Sequence, residues 1–263
     1  MSGPDTASAE LRRAFLEAAD DLPPAGTLLA LGAEAAGLHA AVVDERPGWH
    51  GMGVVVGRPA VGRPAGRPTA ISDRRAVLRA GGAALPLRSD VFDLVLADRV
   101  PERLDAAGPT AAELARVCRP TGRVLLALEG RRHQVELRDL VTEAAGIGVA
   151  WTAGRCTYED AMEGALAPGI EVLRGQLHRD ELVARSIGPV MTAIQLLRAQ
   201  VEPRLRSFVN WTMVLARSRE ALERELREHG EWCTATEIGV VVARPRAVGW
   251  STTPSPTVGS SVQ

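Results

Sequence analysis

Five short apolar runs, at 27–31, 54–56, 76–79, 92–97 and 123–128, constrain this chain more than any other feature. Each is too short for a globular helix, and glycine or proline breaks the chain beside several of them. Continuous short apolar stretches of this kind are the profile of strands buried on both faces. The intervening stretches 33–43, 110–117 and 134–145 space their apolar residues as helices do, and Gly146 closes the last of them. A further strand is expected at 147–151. Strands alternating with helices specify βαβ units. The predicted fold is therefore α/β, a Rossmann-like, doubly wound and mainly parallel seven-stranded sheet with helices on both faces.

The rest of the chain divides around that core. Residues 1–24 carry an amphipathic opening helix at 9–20, stopped by Pro23 and Pro24. The core spans 25–151. Inside it, 57–68 repeats a Gly-Arg-Pro unit, which predicts an exposed loop because proline lacks an amide donor and glycine is unrestrained. Residues 152–207 are expected to form a helical lid or insertion, with a long helical stretch at 181–200 interrupted at Gly188-Pro189. Residues 208–246 complete the sheet with a strand at 208–216, a charged helix at 219–228 and a strand at 237–243. The Ser, Thr, Pro and Gly tail 247–263 is expected to be disordered.

Composition excludes several functions. With 31 basic and 32 acidic residues, the formal net charge is -1, which gives no electrostatic basis for binding nucleic acid or an anionic membrane. Aromatics at 3% leave little for base stacking. The excess of Arg, Ala, Gly and Pro looks like GC-rich coding of a bacterial kind. Cys118, Cys156 and Cys233 are far apart and odd in number, so neither a disulfide framework nor a zinc site is expected. A reduced, cytoplasmic setting fits them, together with a start that lacks an apolar signal core and a chain without a transmembrane stretch. No metal is expected, and the oligomeric state is not legible.

One block carries a resemblance. The stretch 84–97, Ala-Leu-Pro-Leu-Arg-Ser-Asp-Val-Phe-Asp-Leu-Val-Leu-Ala, is similar to the fourth-strand region of class I S-adenosylmethionine (SAM)-dependent methyltransferases of the small-molecule, type 11-like group. Val100-Pro101-Glu102-Arg103-Leu104 resembles that family's Val-Leu-Glu-His-Leu, and 113–126 resembles its following helix, Pro-Gly turn and fifth strand. The resemblance covers 84–128 well and 27–150 in outline. It implies SAM as cofactor, lying across the carboxyl ends of the first four strands, with a small-molecule acceptor held in line with its electrophilic methyl group.

The cofactor residues that the resemblance implies are Gly32, Ala33 and Glu34 in the turn after the first strand, Gly57 after the second, Gly81 and Gly82 after the third, and Asp98 after the fourth. Against the family pattern, Glu34 and Ala36 stand where further glycines are usual. Gly57 or Arg58 stands where a ribose-binding acid is usual, and glycine where an adenine-binding Asp is usual. Two readings follow: an active small-molecule methyltransferase with a divergent site, or a catalytically altered methyltransferase-fold protein serving as a binding or auxiliary subunit. A Rossmann dehydrogenase comes third, because the glycine spacing and the fourth-strand block oppose it.

Other chemistry is sparse. His39, His50, His133, His178 and His229 show no metal-ligand spacing and read as surface or capping residues. Tyr158 and His178 fall in the expected lid, where a general base would sit. Asp93 reads as structural, Asp98 and Glu102 as facing the cleft, and Trp151 and Trp211 as core. Asn210-Trp211-Thr212 matches a glycosylation acceptor in form only. No catalytic residue is assigned.

Overall fold

The computed structural model describes residues 22–32, 42–44, 46–56, 69–72, 75–80, 84–101, 104–148, 151 and 154–246, together with Glu17 and Asp20. The Gly-Arg-Pro loop, the expected tail and most of the two helices expected at 9–20 and 33–43 lie outside these residues; within the second, Val42 and Val43 are helical and buried.

The strands are β1 (Gly26–Leu31), β2 (Trp49–Val56), β3 (Thr69–Ser72), β4 (Arg75–Ala80), β5 (Phe92–Asp98), β6 (Cys118–Glu129), β7 (Ile170–Ala184) and β8 (Trp232–Pro245). They form one sheet in the order β3-β4-β2-β1-β5-β6-β8-β7. β1, β2, β4, β5 and β6 run parallel, whereas β3, β7 and β8 pair antiparallel at the two edges. The mainly parallel doubly wound sheet is as expected, but among the described residues it has eight strands instead of seven. From β1 the chain winds outward to β2 and β4, then crosses back to β5 on the other side of β1. Such a reversal of strand order opens a crevice at the carboxyl ends of the two central strands.

Period-two alternation divides these strands between two cores. Leu29, Leu31, Val95, Ala97, Val124, Leu126 and Leu128 pack on one face, with α1 (Ala107–Val117) laying Ala107, Ala111, Leu114 and Val117 against them. Leu28, Ala30, Leu94, Leu96, Leu125 and Ala127 pack on the other, together with Trp49, Val42 and Val43. Burial on both faces is why these strands read as unbroken apolar runs.

A third cluster joins α2 (Val135–Ala145), α3 (Ile187–Leu196) and α4 (Trp211–His229). Three expectations fail in this half. Residues 208–216 are not a strand: Asn210 accepts the Met213 N–H, and Trp211, Val214, Ser218 and Leu222 are buried at helical spacing, so α4 starts at Trp211. Where a strand is expected at 147–151, the described residues 147 and 148 follow a helix close and 149–150 lie outside the described residues. Gly146 takes a left-handed conformation, and the N–H groups of Gly146 and Ile147 turn back to Glu143 and Thr142. The expected helical insertion contains the fifteen-residue strand β7, paired with β8 from end to end. Long-range pairing overrides the weak helical periodicity of 181–184, and Pro189 lies in the first turn of α3 rather than interrupting a helix.

Among the described residues no helix is long and apolar enough to cross a membrane.

Candidate functional site

Because β1 and β5 are parallel neighbours with Leu31 opposite Ala97, the residues that follow, Gly32 and Asp98, meet at the carboxyl edge of the sheet. Gly32 has φ +126°, and a Cβ placed there would lie 2.4 Å from the Asp98 carbonyl oxygen and 3.0 Å from its Cβ. Only glycine combines this φ with so close an approach. Asp98 is 4% exposed, and Arg99 donates to both of its carboxylate oxygens at 3.3 Å. Of the predicted cofactor residues, then, the structure brings Gly32 and Asp98 together at the switch point. Ala33, Glu34, Gly57, Gly81 and Gly82 lie outside the described residues, as does Glu102.

Next to this tip, β6 ends in a charged cluster that the sequence reading did not assemble. Glu129 Oε2 accepts from Arg138 at 2.9 Å and forms an ion pair with Arg155 at 2.8 Å, and its Oε1 is 4.0 Å from His133 Nε2. Burial alone would raise the Glu129 carboxyl; His133, Arg155, Arg138 and Arg99 outweigh it and hold the group below its ordinary value. His133 is buried, not a surface residue, and its Nδ1 accepts the Glu237 N–H at 3.1 Å. Burial pushes the imidazole down; Glu129 opposes this, and Arg138, Arg99 and Arg155 reinforce it. The ring is thus neutral at pH 7, with its proton on Nε2 facing Glu129. Glu237, also buried, accepts from the Arg132 N–H and from Arg179. Two arginines, Arg138 from α2 and Arg155 from the segment beyond it, converge on one carboxylate.

The remaining candidates have structural work. Asp93 sits at the opposite, amino end of β5, where it accepts from the Thr27 N–H, the Thr27 hydroxyl and Arg119. Tyr158 lays its ring where a Gly239 Cβ would be and points its hydroxyl at Gly175, covering β7 and β8. His178 belongs to β7, not to a lid. Trp211 is buried among α2, α3 and α4, and the Trp151 Nε1–H donates to Thr142. The Asn-Trp-Thr triplet is the cap of α4. Burial pushes the Cys118 thiol up to about 12 and the Cys156 thiol to about 11, so neither supplies a thiolate nucleophile at neutral pH. Among the described residues, Glu225, Glu228 and His229 are the one trio whose ligand atoms come together; they are exposed on the last turns of α4.

The comparisons with known proteins bear on the fold. No family model matches the sequence, and no curated protein matches it either. Solved structures do match. A provisionally designated methyltransferase of Bacillus halodurans C-125 superposes with a TM-score of 0.54 at 11% identity, over 89% of this chain and 97% of that one. The YcgJ protein of Bacillus subtilis gives 0.50 at 13% identity, over 88% and 96%. The MccD protein gives 0.50 at 13%, over 91% and 99%. The chain has the fold of the class I SAM-dependent methyltransferases.

Proposed function

We propose that this protein binds SAM at the carboxyl ends of β1 and β5 and transfers its methyl group to a small-molecule acceptor. The observation that carries the reading is the bare glycine backbone at Gly32, packed on buried Asp98 at the switch point of a parallel sheet. A turn without a side chain lets a ligand's polar tail approach main-chain N–H groups directly. The fit is to the strand tip and its glycine turn; Ala33, Glu34, Gly57, Gly81 and Gly82 are the further residues that would hold the cofactor. Bound SAM would supply the electrophilic methyl. The chain's own part would be to orient the acceptor in line with it and to exclude water.

A second reading rests on a specific observation. The residues after β2 are Gly57 and Arg58, so no acid follows that strand, and the Asp98 carboxylate is engaged by Arg99. This favours a methyltransferase-fold protein that has lost methyl transfer and acts as a binding or auxiliary subunit. Calorimetric titration of the purified protein with SAM and with its demethylated product separates the readings. Saturable heat from both, with turnover on a panel of small acceptors, is the expected result. Silence at millimolar ligand removes the first reading, and binding without turnover favours the second.

A further inference from the structure

β7 is the last strand at one edge of the sheet. Among the described residues β7 has one strand neighbour, β8. The side facing away from β8 can be identified from hydrogen bonds on the far side of β8. Ala235 and Glu237, which pair with Glu181 and Arg179, turn their main-chain groups away from β7. The Ala235 N–H donates to Glu136, and its carbonyl accepts the Gln134 N–H; the Glu237 N–H donates to His133, and its carbonyl accepts the Gly130 N–H. Opposed residues of an antiparallel ladder face each other or face apart together. The main-chain groups of Glu181 and Arg179 therefore point to the open side, and by alternation so do those of Leu177 and Gly175. Consistently, the Glu181 N–H is met by its own neighbour, Asp180 Oδ1, instead of by β8.

This parity restricts how a second copy can add. Only antiparallel registers that set outward residues opposite outward residues are allowed. Centring the twofold on Leu177 sets Leu177 against itself and Gly175 against Arg179. On the opposite face of the sheet it sets Arg174 against Asp180, twice by symmetry. Arg174 and Asp180 are both exposed. On the Leu177 face, the missing side chain of Gly175 leaves Tyr158 and half-exposed Met162 to back the contact. The ladder ends where it should: the bulge at Leu173, between Val172 and Arg174, closes the regular strand one residue beyond the ion pair. Moving the centre by one or two residues, to Gln176, His178, Gly175 or Arg179, keeps the parity but loses the Arg174–Asp180 match.

The geometry points to a homodimer in which β7 pairs antiparallel with β7 of a second copy about an axis at Leu177, continuing the sheet across both subunits. Pairing over 175–179 adds about six main-chain hydrogen bonds, bracketed by two Arg174–Asp180 ion pairs. Edge strands invite such augmentation unless their charges oppose it, and here the charges match. An isologous twofold contact is also the commonest closed assembly.

The test uses the full chain and needs no ligand. Sedimentation equilibrium is run over a concentration series on the wild type, Arg174→Asp, Asp180→Arg and the double charge swap. The expected result is a reversible dimer for the wild type and self-association at least about tenfold weaker for each single variant, since like charges then face each other across the axis. The double swap should return the wild-type value. Both residues are exposed, and circular dichroism with thermal melts confirms that each variant is folded. A monomeric wild type overturns the proposal, as does any assembly other than a dimer. So does a dimer that the single variants leave intact or that the double variant fails to restore.

Discussion

Gly32 and Asp98 touch so closely that a single methyl group at position 32 would lie 2.4 Å from the Asp98 carbonyl. The contact joins β1 to β5 at the edge where the strand order reverses. Gly32→Ala meets two obstacles, the overlap itself and a φ of +126° that an alanine resists. We expect a loss of about 2–3 kcal/mol in urea unfolding. On the proposed function, SAM binding by calorimetry should fall at least about tenfold, because relieving the overlap splays the turn. A variant as stable as the wild type would show that β1 and β5 do not meet in this way.

Glu129 is the one carboxylate shared by Arg138 and Arg155, and Arg138 is almost wholly buried. Removing one partner of a buried pair strands the other charge, typically at about 3–5 kcal/mol. Glu129→Gln should cost about 3 kcal/mol in denaturant unfolding, at the low end because Arg155 is partly exposed. Replacing Glu129 and Arg138 together with Leu and Met should cost less than Glu129→Gln alone. The His133 ring gives a second readout. Glu129 is the neighbour that pulls its pKa up, so Glu129→Gln should move the His133 titration, followed by NMR, further below 6.5.

These groups also set the response to acid. Burial, against the pull of Glu129, keeps His133 neutral in the folded chain, with its pKa below the ordinary 6.5. As pH falls through 6.5 the unfolded chain takes up the proton first, so stability is lost until the folded pKa is reached. For Asp93, burial raises the carboxyl, but the Thr27 and Arg119 hydrogen bonds outweigh it and leave it below the usual value; Glu113 is lowered chiefly by its bond from Arg116. Their stabilisation is present above their ordinary values of 3.8 and 4.5 and is lost as pH falls through the folded ones. Melting temperature should thus decline in two stages, first below about pH 6.5 and then more steeply below about pH 4.5. Asp93→Asn should lower the neutral-pH value and flatten the second stage.

The parallel core was legible in sequence because its strands are buried on both faces, so Leu28–Leu31 and Leu94–Ala97 show as unbroken apolar runs. The second half was not. β7 mixes Glu171, Arg174, Arg179, Asp180 and Glu181 with apolar residues, since one of its edges is open and much of its surface is wet, and its pairing partner lies some sixty residues away in the chain. The stretch 208–216 carries Phe208, Val209, Trp211, Met213 and Val214, as apolar as a strand. The distinguishing signal is Asn210, a helix cap that also completes the form of a glycosylation triplet. The Glu129 cluster carries no recognisable motif, because Arg155 reaches Glu129 from twenty-six residues further along the chain and the His133 Nδ1 partner, the Glu237 N–H, comes from β8. Gly32 and Asp98 could be named from the resemblance alone; that they touch could not.

The cap reading of Asn210 has a consequence that can be measured without a ligand. Asn210 Oδ1 accepts the Met213 N–H at 2.9 Å, satisfying one of the donors left open at the start of α4. Nineteen residues of helix begin there, and Trp211, Val214 and Leu222 anchor them to α2 and α3. Asn210→Ala should cost about 1 kcal/mol, Asn210→Asp should cost less because a carboxylate also caps and favours the helix dipole, and Asn210→Gly should cost a few tenths. If 208–216 were a strand, Asp and Gly would instead be among the worst substitutions and Val among the best. The ranking of the four variants in urea unfolding therefore decides between helix and strand by its order alone.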